Sequence, residues 1–277
     1  MADLREKAEA LRRLHAGPRA LILANAWDVA SARLVETAGF PAVASSSAGV
    51  AFALGYPDGQ RISRAEMLDM VRRIARAVKV PVTADVEGGY GTTAQAAGET
   101  ARGVVAAGAV GLNLEDLADG ARLLPIELQV ERIQAVRAAG DAAGVPLVIN
   151  ARTDAFGVES IAGAQRTEEA IRRANAYLRA GADCAFVPFV ADRTVIARLA
   201  REIEGPLNVL GTPDSPPVEE LERLGVRRIS LGGGLARAAY GRARRVAIEV
   251  KQTGTFEALR EGTISYAEMQ RLLSEGS

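Results

Sequence analysis

Short apolar runs rich in β-branched residues alternate with longer stretches of helical periodicity from one end of the chain to the other. The pattern predicts eight strands: Leu21–Asn25, Ala42–Ser47, Val80–Glu87, Gly111–Asp116, Pro146–Arg152, Cys184–Phe189, Leu207–Gly211 and Arg227–Gly232. Amphipathic segments lie between them, among them Arg64–Val78 and Glu168–Ala180, the second opening at Thr167 as a helix cap. Small, glycine-bearing sequences such as Ala107-Gly108-Ala109 and Leu224-Gly225-Val226 follow several helices and suit the left-handed cap of an αβ turn. Eight strand-then-helix units in about 250 residues predict the α/β class and a (β/α)8 TIM barrel. Residues 1–16 form an extra N-terminal helix in this reading, and 241–277 supply C-terminal helices beyond what the eighth unit needs. A doubly wound sheet is the rival, but the first strand runs into Asn25-Ala26-Trp27-Asp28 and not into a glycine-rich dinucleotide fingerprint. No linker or low-complexity tract interrupts the pattern, so residues 1–277 are expected to form a single domain.

Composition narrows the chemistry. Of 277 residues 48% are hydrophobic and 25% charged, ordinary values for a globular chain. Lys+Arg and Asp+Glu are each 34, so no net positive field exists to gather nucleic acid or an anionic membrane surface. No apolar run reaches the roughly 18–20 residues of a membrane span, and no basic, apolar leader opens the chain. A reduced, cytoplasmic protein is the expectation. Cys184 is the only cysteine and His15 the only histidine, which excludes disulfides, thiolate zinc sites and histidine-rich centres. Cys184 opens an apolar strand and is expected to be a buried structural thiol; His15 sits in the leading helix and is assigned no chemistry. Lys7, Lys79 and Lys251 are the only lysines and none lies within a strand, so a Schiff-base route to an enolate is closed.

In a barrel of this kind chemistry belongs at the C-terminal ends of the strands. Polar residues concentrate there. Strand two ends in Ser45-Ser46-Ser47 and its loop carries Tyr56-Pro57-Asp58-Gly59; strand three ends in Asp85-Val86-Glu87-Gly88-Gly89-Tyr90-Gly91. Strand four ends in Asn113-Leu114-Glu115-Asp116, strand five in Asn150-Ala151-Arg152-Thr153-Asp154, and strand seven contributes Asn208. Asp85 and Glu87, two apart on a strand, leave the same face, and Glu115 from the next strand approaches the same point. Three carboxylates in one mouth repel, so protons or a cation must intervene. A site of oxygen donors alone suits Mg2+, with Mn2+ as a substitute. Asp116 and Asp154 read more simply as caps or ion-pair partners. Arg152 either pairs with these acids or clamps a substrate carboxylate through its planar fork. Trp27 either lines the mouth or packs. Gly232-Gly233-Gly234 either binds an anion through its amides or makes a tight turn.

In their order and spacing these segments resemble the isocitrate lyase/phosphoenolpyruvate mutase superfamily, over about Leu21 through Gly232. The resemblance implies a Mg2+-dependent barrel that makes or breaks a carbon–carbon or carbon–phosphorus bond beside the enolate of a small 2-oxo or 2-hydroxy di- or tricarboxylate. It implies that Asp85 holds the metal most directly, with Asp58, Glu87 and Glu115 acting largely through waters. Ser45, Ser46 and Ser47 would bind the oxo acid, joined by Trp27, Asp85 and Asn208, and Arg152 its carboxylate. The resemblance further implies a homotetramer whose C-terminal helices, within 241–277, are exchanged between subunits. Two departures stand out: Glu87 replaces the usual second aspartate, and the loop Leu117–Pro125 lacks the lysine, cysteine, histidine and asparagine-serine groups that lyases and mutases carry there. In that loop Arg122 is the one charged candidate to cover the mouth; as a permanent cation it stabilises charge and does not donate a proton. Proton transfer then falls to Tyr90, to a water on the metal, or to a carboxylate of raised pKa such as Glu115. The expected activity is a carbon–carbon lyase; the alternatives are a non-catalytic binder of a 2-oxo acid or a phosphonopyruvate-type enzyme.

Overall fold

A computed structural model of the chain describes residues 2–118 and 121–274. Asp119 and Gly120 of the loop after strand four, and the last three residues of the C-terminal extension, lie outside the described residues. The strands are β1 (Leu21–Leu23), β2 (Asn25–Ala26), β3 (Val43–Ser45), β4 (Val82–Asp85), β5 (Gly111–Glu115), β6 (Leu117–Ala118), β7 (Arg122–Leu123), β8 (Val148–Arg152), β9 (Cys184–Val187), β10 (Leu207–Leu210) and β11 (Arg228–Ser230). The helices are α1 (Ala2–His15), α2 (Val29–Thr37), α3 (Ser47–Ala53), α4 (Arg64–Ala77), α5 (Ala94–Ala107), α6 (Ile126–Ala142), α7 (Gln165–Arg179), α8 (Arg193–Glu202), α9 (Val218–Arg223), α10 (Gly234–Thr253) and α11 (Tyr266–Ser274).

Among the described residues, nine strands form one parallel sheet in the order β1-β11-β10-β9-β8-β5-β4-β3-β2. Because β1 and β2 are two pieces of one stave separated by Ala24, pairing β1 with β11 and β2 with β3 brings the sheet round on itself. This is the expected (β/α)8 barrel. No described helix is long and apolar enough to cross a membrane.

Local signals explain the helices. In α4, Ser63 accepts from the Glu66 amide at 3.2 Å while the Glu66 carboxylate accepts from the Ser63 amide at 2.8 Å, a reciprocal cap worth about 1 kcal/mol. Met67, Val71 and Ile74 then fall on the buried face. Asp28 caps α2, and Gly108 closes α5 at φ +94, where any side chain would be strained.

Parallel register fixes what faces inward. Asp85, Asn113 and Asn150 lie abreast, as do Glu115, Arg152 and Phe186, and Asn208 lies beside Arg228. Their neighbours along each strand, Leu112, Leu114, Ile149, Ala151, Val209 and Ile229, face the helices and build the apolar core. The lumen is therefore unusually polar for a barrel whose interior is commonly layered with branched aliphatics.

Several boundaries differ from the sequence pattern. Strand three ends at Asp85, so Glu87 is not a strand residue; it takes φ +50 in the loop, and the alternation argument does not place it. Strand two ends at Ser45, because Ser46 caps α3 by accepting from the Gly49 amide at 3.1 Å, and Ser47 is already helical. Thr167 is buried inside α7, which starts at Gln165. Leu117–Ala118 and Arg122–Leu123 pair as a small antiparallel hairpin within the short loop.

Candidate active site

At the C-terminal mouth of the barrel the Ser46–Ser47 turn places two donors on Asp85. Asp85 Oδ2 accepts from the Ser47 amide at 3.1 Å and its hydroxyl at 2.8 Å, while the Asp85 amide donates to Ser45 Oγ at 2.8 Å. The seryl run thus orients the aspartate, and Ser45 faces its backbone and not the cavity.

Glu87 reaches the same region from the strained loop, in which Glu87, Gly89, Tyr90 and Gly91 all have positive φ. Such strain persists only where the surroundings over-determine it. Here the buried Arg132 of α6 does so, donating to the carbonyls of Gly88, Gly91 (3.3 Å) and Glu115 (3.3 Å), which ties the loops after β4 and β5 together. Gln60 adds a second tie: its amide donates to Glu87 Oε2 at 2.6 Å and its side chain accepts from the Tyr90 amide at 2.7 Å. Glu87 Oε1 is buried without a partner. Burial, then Asp85 and Asp58, push the Glu87 carboxyl up to about 7. Asp58 is exposed at the rim and also raised, by the protein around it and by Asp85.

Glu115 does not turn toward Asp85 and Glu87; it pairs with Arg152 at 2.9 Å. Among the described residues no three acids, histidines or cysteines enclose an ion on their own. Asp58, Asp85, Glu87 and Glu115 thus lie close enough to act on one another through space, with Glu115 turned to Arg152. Opposite charges explain the turn, since Arg152 lies abreast of Glu115 in the register. Burial still raises Glu115 to about 8, against the pull of Arg152.

Arg152 is also bound to Asp154 at 2.6 Å and stacked between Phe186 (5.8 Å) and Phe189 (5.7 Å). Burial works against its charge, but Glu115 and Asp154 outweigh it and keep it protonated. Asp116 has a structural post: its carboxylate accepts from Tyr177 at 2.7 Å, from Arg173 at 3.1 Å and from the Asp154 amide at 3.0 Å.

A cavity of about 180 Å3 opens here. Asp58, Asp85, Ser46 and Ser47 are in its lining, together with Arg152, Phe186, Phe189, Thr212 and Arg237. Arg237, in the first turn of α10 behind Gly232-Gly233-Gly234, is a residue that sequence reasoning missed; the signal was an arginine one turn into the helix after the eighth strand. Asn25 was missed too: its side chain donates to Ser45 O at 2.8 Å and accepts from the amides of Leu231 and Gly232, each at 2.9 Å. Those two amides are thereby committed to closing the barrel.

The other expected residues fall outside the cavity lining. Asn208 is fully buried and bonded to Ser230 Oγ at 3.0 Å, and Trp27 packs near Tyr240 with ring centroids 6.5 Å apart. The Tyr90 hydroxyl is buried without a partner and stays protonated, held well above its ordinary pKa by burial and then by Glu87. Arg122 is exposed on the hairpin. Cys184 is fully buried with its thiol pushed up to about 12 by burial, as expected of a structural cysteine.

A closed α/β barrel whose mouth gathers oxygen donors and guanidinium groups defines the class of barrel enzymes. The profile of phosphoenolpyruvate phosphomutases matches residues 11–251, and the chain belongs to that family, within the isocitrate lyase/phosphoenolpyruvate mutase superfamily. An oxaloacetate decarboxylase of Bradyrhizobium sp. (strain BTAi1) is 33% identical, over 93% of this chain and 86% of that protein. The 2-methylisocitrate lyase of Bacillus subtilis is 30% identical, over 73% and 66%. A phosphonopyruvate hydrolase solved with oxalate and Mg2+ superposes with TM-score 0.84 at 27% identity, covering 97% of this chain and 95% of that one.

Proposed function

We propose that this protein is a Mg2+-dependent carbon–carbon lyase that cleaves or decarboxylates a small 2-oxo or 2-hydroxy dicarboxylate. The observation that carries the reading is one small cavity lined by two carboxylates, Asp58 and Asp85, and two guanidinium groups, Arg152 and Arg237.

The residues fit a hard cation. The donors are all oxygen, Glu87 Oε1 is buried without a partner, and Asp58 and Glu87 are both raised, a cost that a divalent ion relieves. Asp85 would hold Mg2+ directly, with Asp58, Glu87 and Glu115 reaching it through waters. When bound, the ion supplies Lewis-acidic charge against the oxygen that becomes anionic as the neighbouring bond breaks. Ser47 orients Asp85, and Ser46 and Ser47 together face the 2-oxo group. Arg152 holds the adjacent carboxylate in a fork steadied by Phe186 and Phe189, and Arg237 meets the far carboxylate. Glu115, raised to about 8 and in contact with the cavity-lining Arg152, is the group proposed to give a proton to the carbon left behind.

Incubating the protein and Mg2+ with oxaloacetate, isocitrate, methylisocitrate, malates and phosphonopyruvate, and following pyruvate, glyoxylate, phosphate and CO2, tests the proposal. A carbon–carbon product supports it. Phosphate from phosphonopyruvate alone favours the carbon–phosphorus reading, and binding without product the non-catalytic one.

The same proposal places the chain in the cytoplasm as one domain in a homotetramer. Support comes from α10, whose only buried residue is Ala236 and which exposes Tyr240, Ile248 and Val250. An apolar groove of about 690 Å3 lined by Leu14, Ile22, Phe40 and Pro81 offers a partner subunit's helix a seat. By contrast α11 docks on its own barrel, where Arg33 Nε donates to Leu272 O at 3.0 Å. Light scattering on the full chain distinguishes tetramer from monomer.

A further inference from the structure

The barrel floor beneath the site holds a second guanidinium. Arg228 points inward from β11, is 0% exposed, and has no carboxylate among its hydrogen-bond partners in the described structure. Its Nη1 faces His15 Nε2 at 3.4 Å, its Nη2 reaches Asn113 Oδ1 at 3.4 Å, and its Nε is buried without a partner. His15 adds no compensating charge. Its Nδ1 lies 2.8 Å from the Leu11 carbonyl, which makes Nδ1 the donor and leaves Nε2 as a bare acceptor for Arg228. An ionised side chain buried against neutral partners is costly, so a barrel that keeps one does so for a reason other than stability.

Asn113 links Arg228 to the cavity. Its Oδ1 accepts from Arg228 and, at 2.8 Å, from Asn150, while the residue itself lines the cavity beside Asp85. With the oxygen committed to donors in the lumen, the amide NH2 is the group left to face a ligand. Asp85, on β4, is a carboxylate that acts on Arg228 through space.

We propose that Arg228 is an anion-selecting positioning residue: its buried charge and its hold on the Asn113 amide bias the cavity toward an anionic ligand and against a bare cation. The inference rests on the reading of the cavity as a Mg2+-assisted oxo-acid site. It gives Arg228 an effect opposite in sign to that of the rim carboxylates. A cation beneath the site repels Mg2+ and attracts the acid, so its removal should tighten one and loosen the other.

Two variants test this. Arg228→Met removes the charge. His15→Glu leaves Arg228 in place and neutralises it with a carboxylate in contact, which serves if the methionine variant does not fold. Mn2+ binding is read by electron paramagnetic resonance, and oxalate binding by calorimetry at saturating Mg2+. Each variant should bind oxalate about tenfold more weakly, the size expected of one charge acting through a partly buried medium. Mn2+ affinity should be equal to or tighter than that of the unmodified protein. Parallel loss of both, as general damage would give, overturns the proposal, and so does unchanged oxalate affinity in a folded variant. Failure of the unmodified protein to bind oxalate with Mg2+ would instead overturn the reading of the site itself.

Discussion

The two halves of the barrel mouth are built on different principles. The half from β3 to β5 carries acids held by backbone and hydroxyl donors, with Asp85 on Ser47 and Glu87 on the Gln60 amide, and leaves Glu87 Oε1 unpartnered. The half from β8 to β11 carries cations; there Arg152 is saturated, with Glu115, Asp154 and two phenylalanine rings around it. One half therefore waits for a counter-ion, while the other has already satisfied its charge internally. A ligand carboxylate must compete with Glu115 and Asp154 for Arg152, whereas a cation near Asp85 competes only with protons.

This contrast predicts the largest effect on the acidic side. Asp85→Ala should remove Mg2+-dependent oxalate binding, on the order of 100-fold or more, because it deletes the donor that the others only support. Without metal its melting temperature should hold or rise, since one member of a repelling group is gone. Unchanged Mn2+ affinity by electron paramagnetic resonance would move the metal elsewhere.

On the basic side the effect should be large but of another kind. Arg152→Ala should weaken oxalate by about 100-fold with Mn2+ binding nearly intact. It should also destabilise the fold by about 3–5 kcal/mol, because Glu115 and Asp154 would be left buried and unpaired. Repeating the change in a Glu115→Gln background recovers part of that stability without recovering oxalate. Equal loss of metal and oxalate would assign Arg152 a purely structural post.

Arg237 sharpens the comparison further. It is exposed at the cavity rim, and among the described residues no carboxylate or ring saturates it as Arg152 is saturated. Arg237→Gln should raise KM for a dicarboxylate about tenfold and leave a monocarboxylate 2-oxo acid within about twofold, with kcat nearly constant, the signature of lost uniform binding. An equal rise for both would place the side chain outside recognition.

The acidic half was legible in the sequence because its residues sit in short, dense strings at predicted strand ends, where chain order and spatial order coincide. The barrel was legible for the same reason: eight apolar runs and their glycine turns are local features. Glu87 was found for the wrong reason, since a left-handed turn, held by Arg132 from a distant helix, delivers it and not strand alternation. That Glu115 turns first to Arg152 was not legible, because Arg152 enters from the neighbouring strand in a register that spacing along one strand does not reveal. Arg237 and Asn25 were missed because each is isolated in sequence and gains meaning only when the eighth stave closes against the first, and Phe186 because it gains its meaning from Arg152 on the neighbouring strand. Arg132 reads as surface charge on an amphipathic helix, yet it is buried under the loops it holds.

The smallest expected effect, and the one that reports on the acidic half as a unit, is on stability against pH. In the absence of metal the Glu87 and Glu115 carboxyls are raised from 4.5 to about 7 and about 8, first by burial. A raised acid binds more protons folded than unfolded, so its contribution to stability is full below pH 4.5 and is lost as pH climbs through 7 and 8. The melting temperature in chelator should fall across that window by roughly 5–15 °C, since a few kcal/mol are at stake and each moves a chain of this size by about 2–4 °C. Mg2+ takes the place of the departing protons, so saturating Mg2+ should flatten the slope, and its binding should release protons and tighten with rising pH. Glu87→Gln should remove part of the slope, while substitutions on the basic half such as Arg237→Gln should leave it untouched. A slope that is the same with and without Mg2+ would mean that the raised acids and the metal do not share a site, and the contrast between the two halves would lose its physical basis.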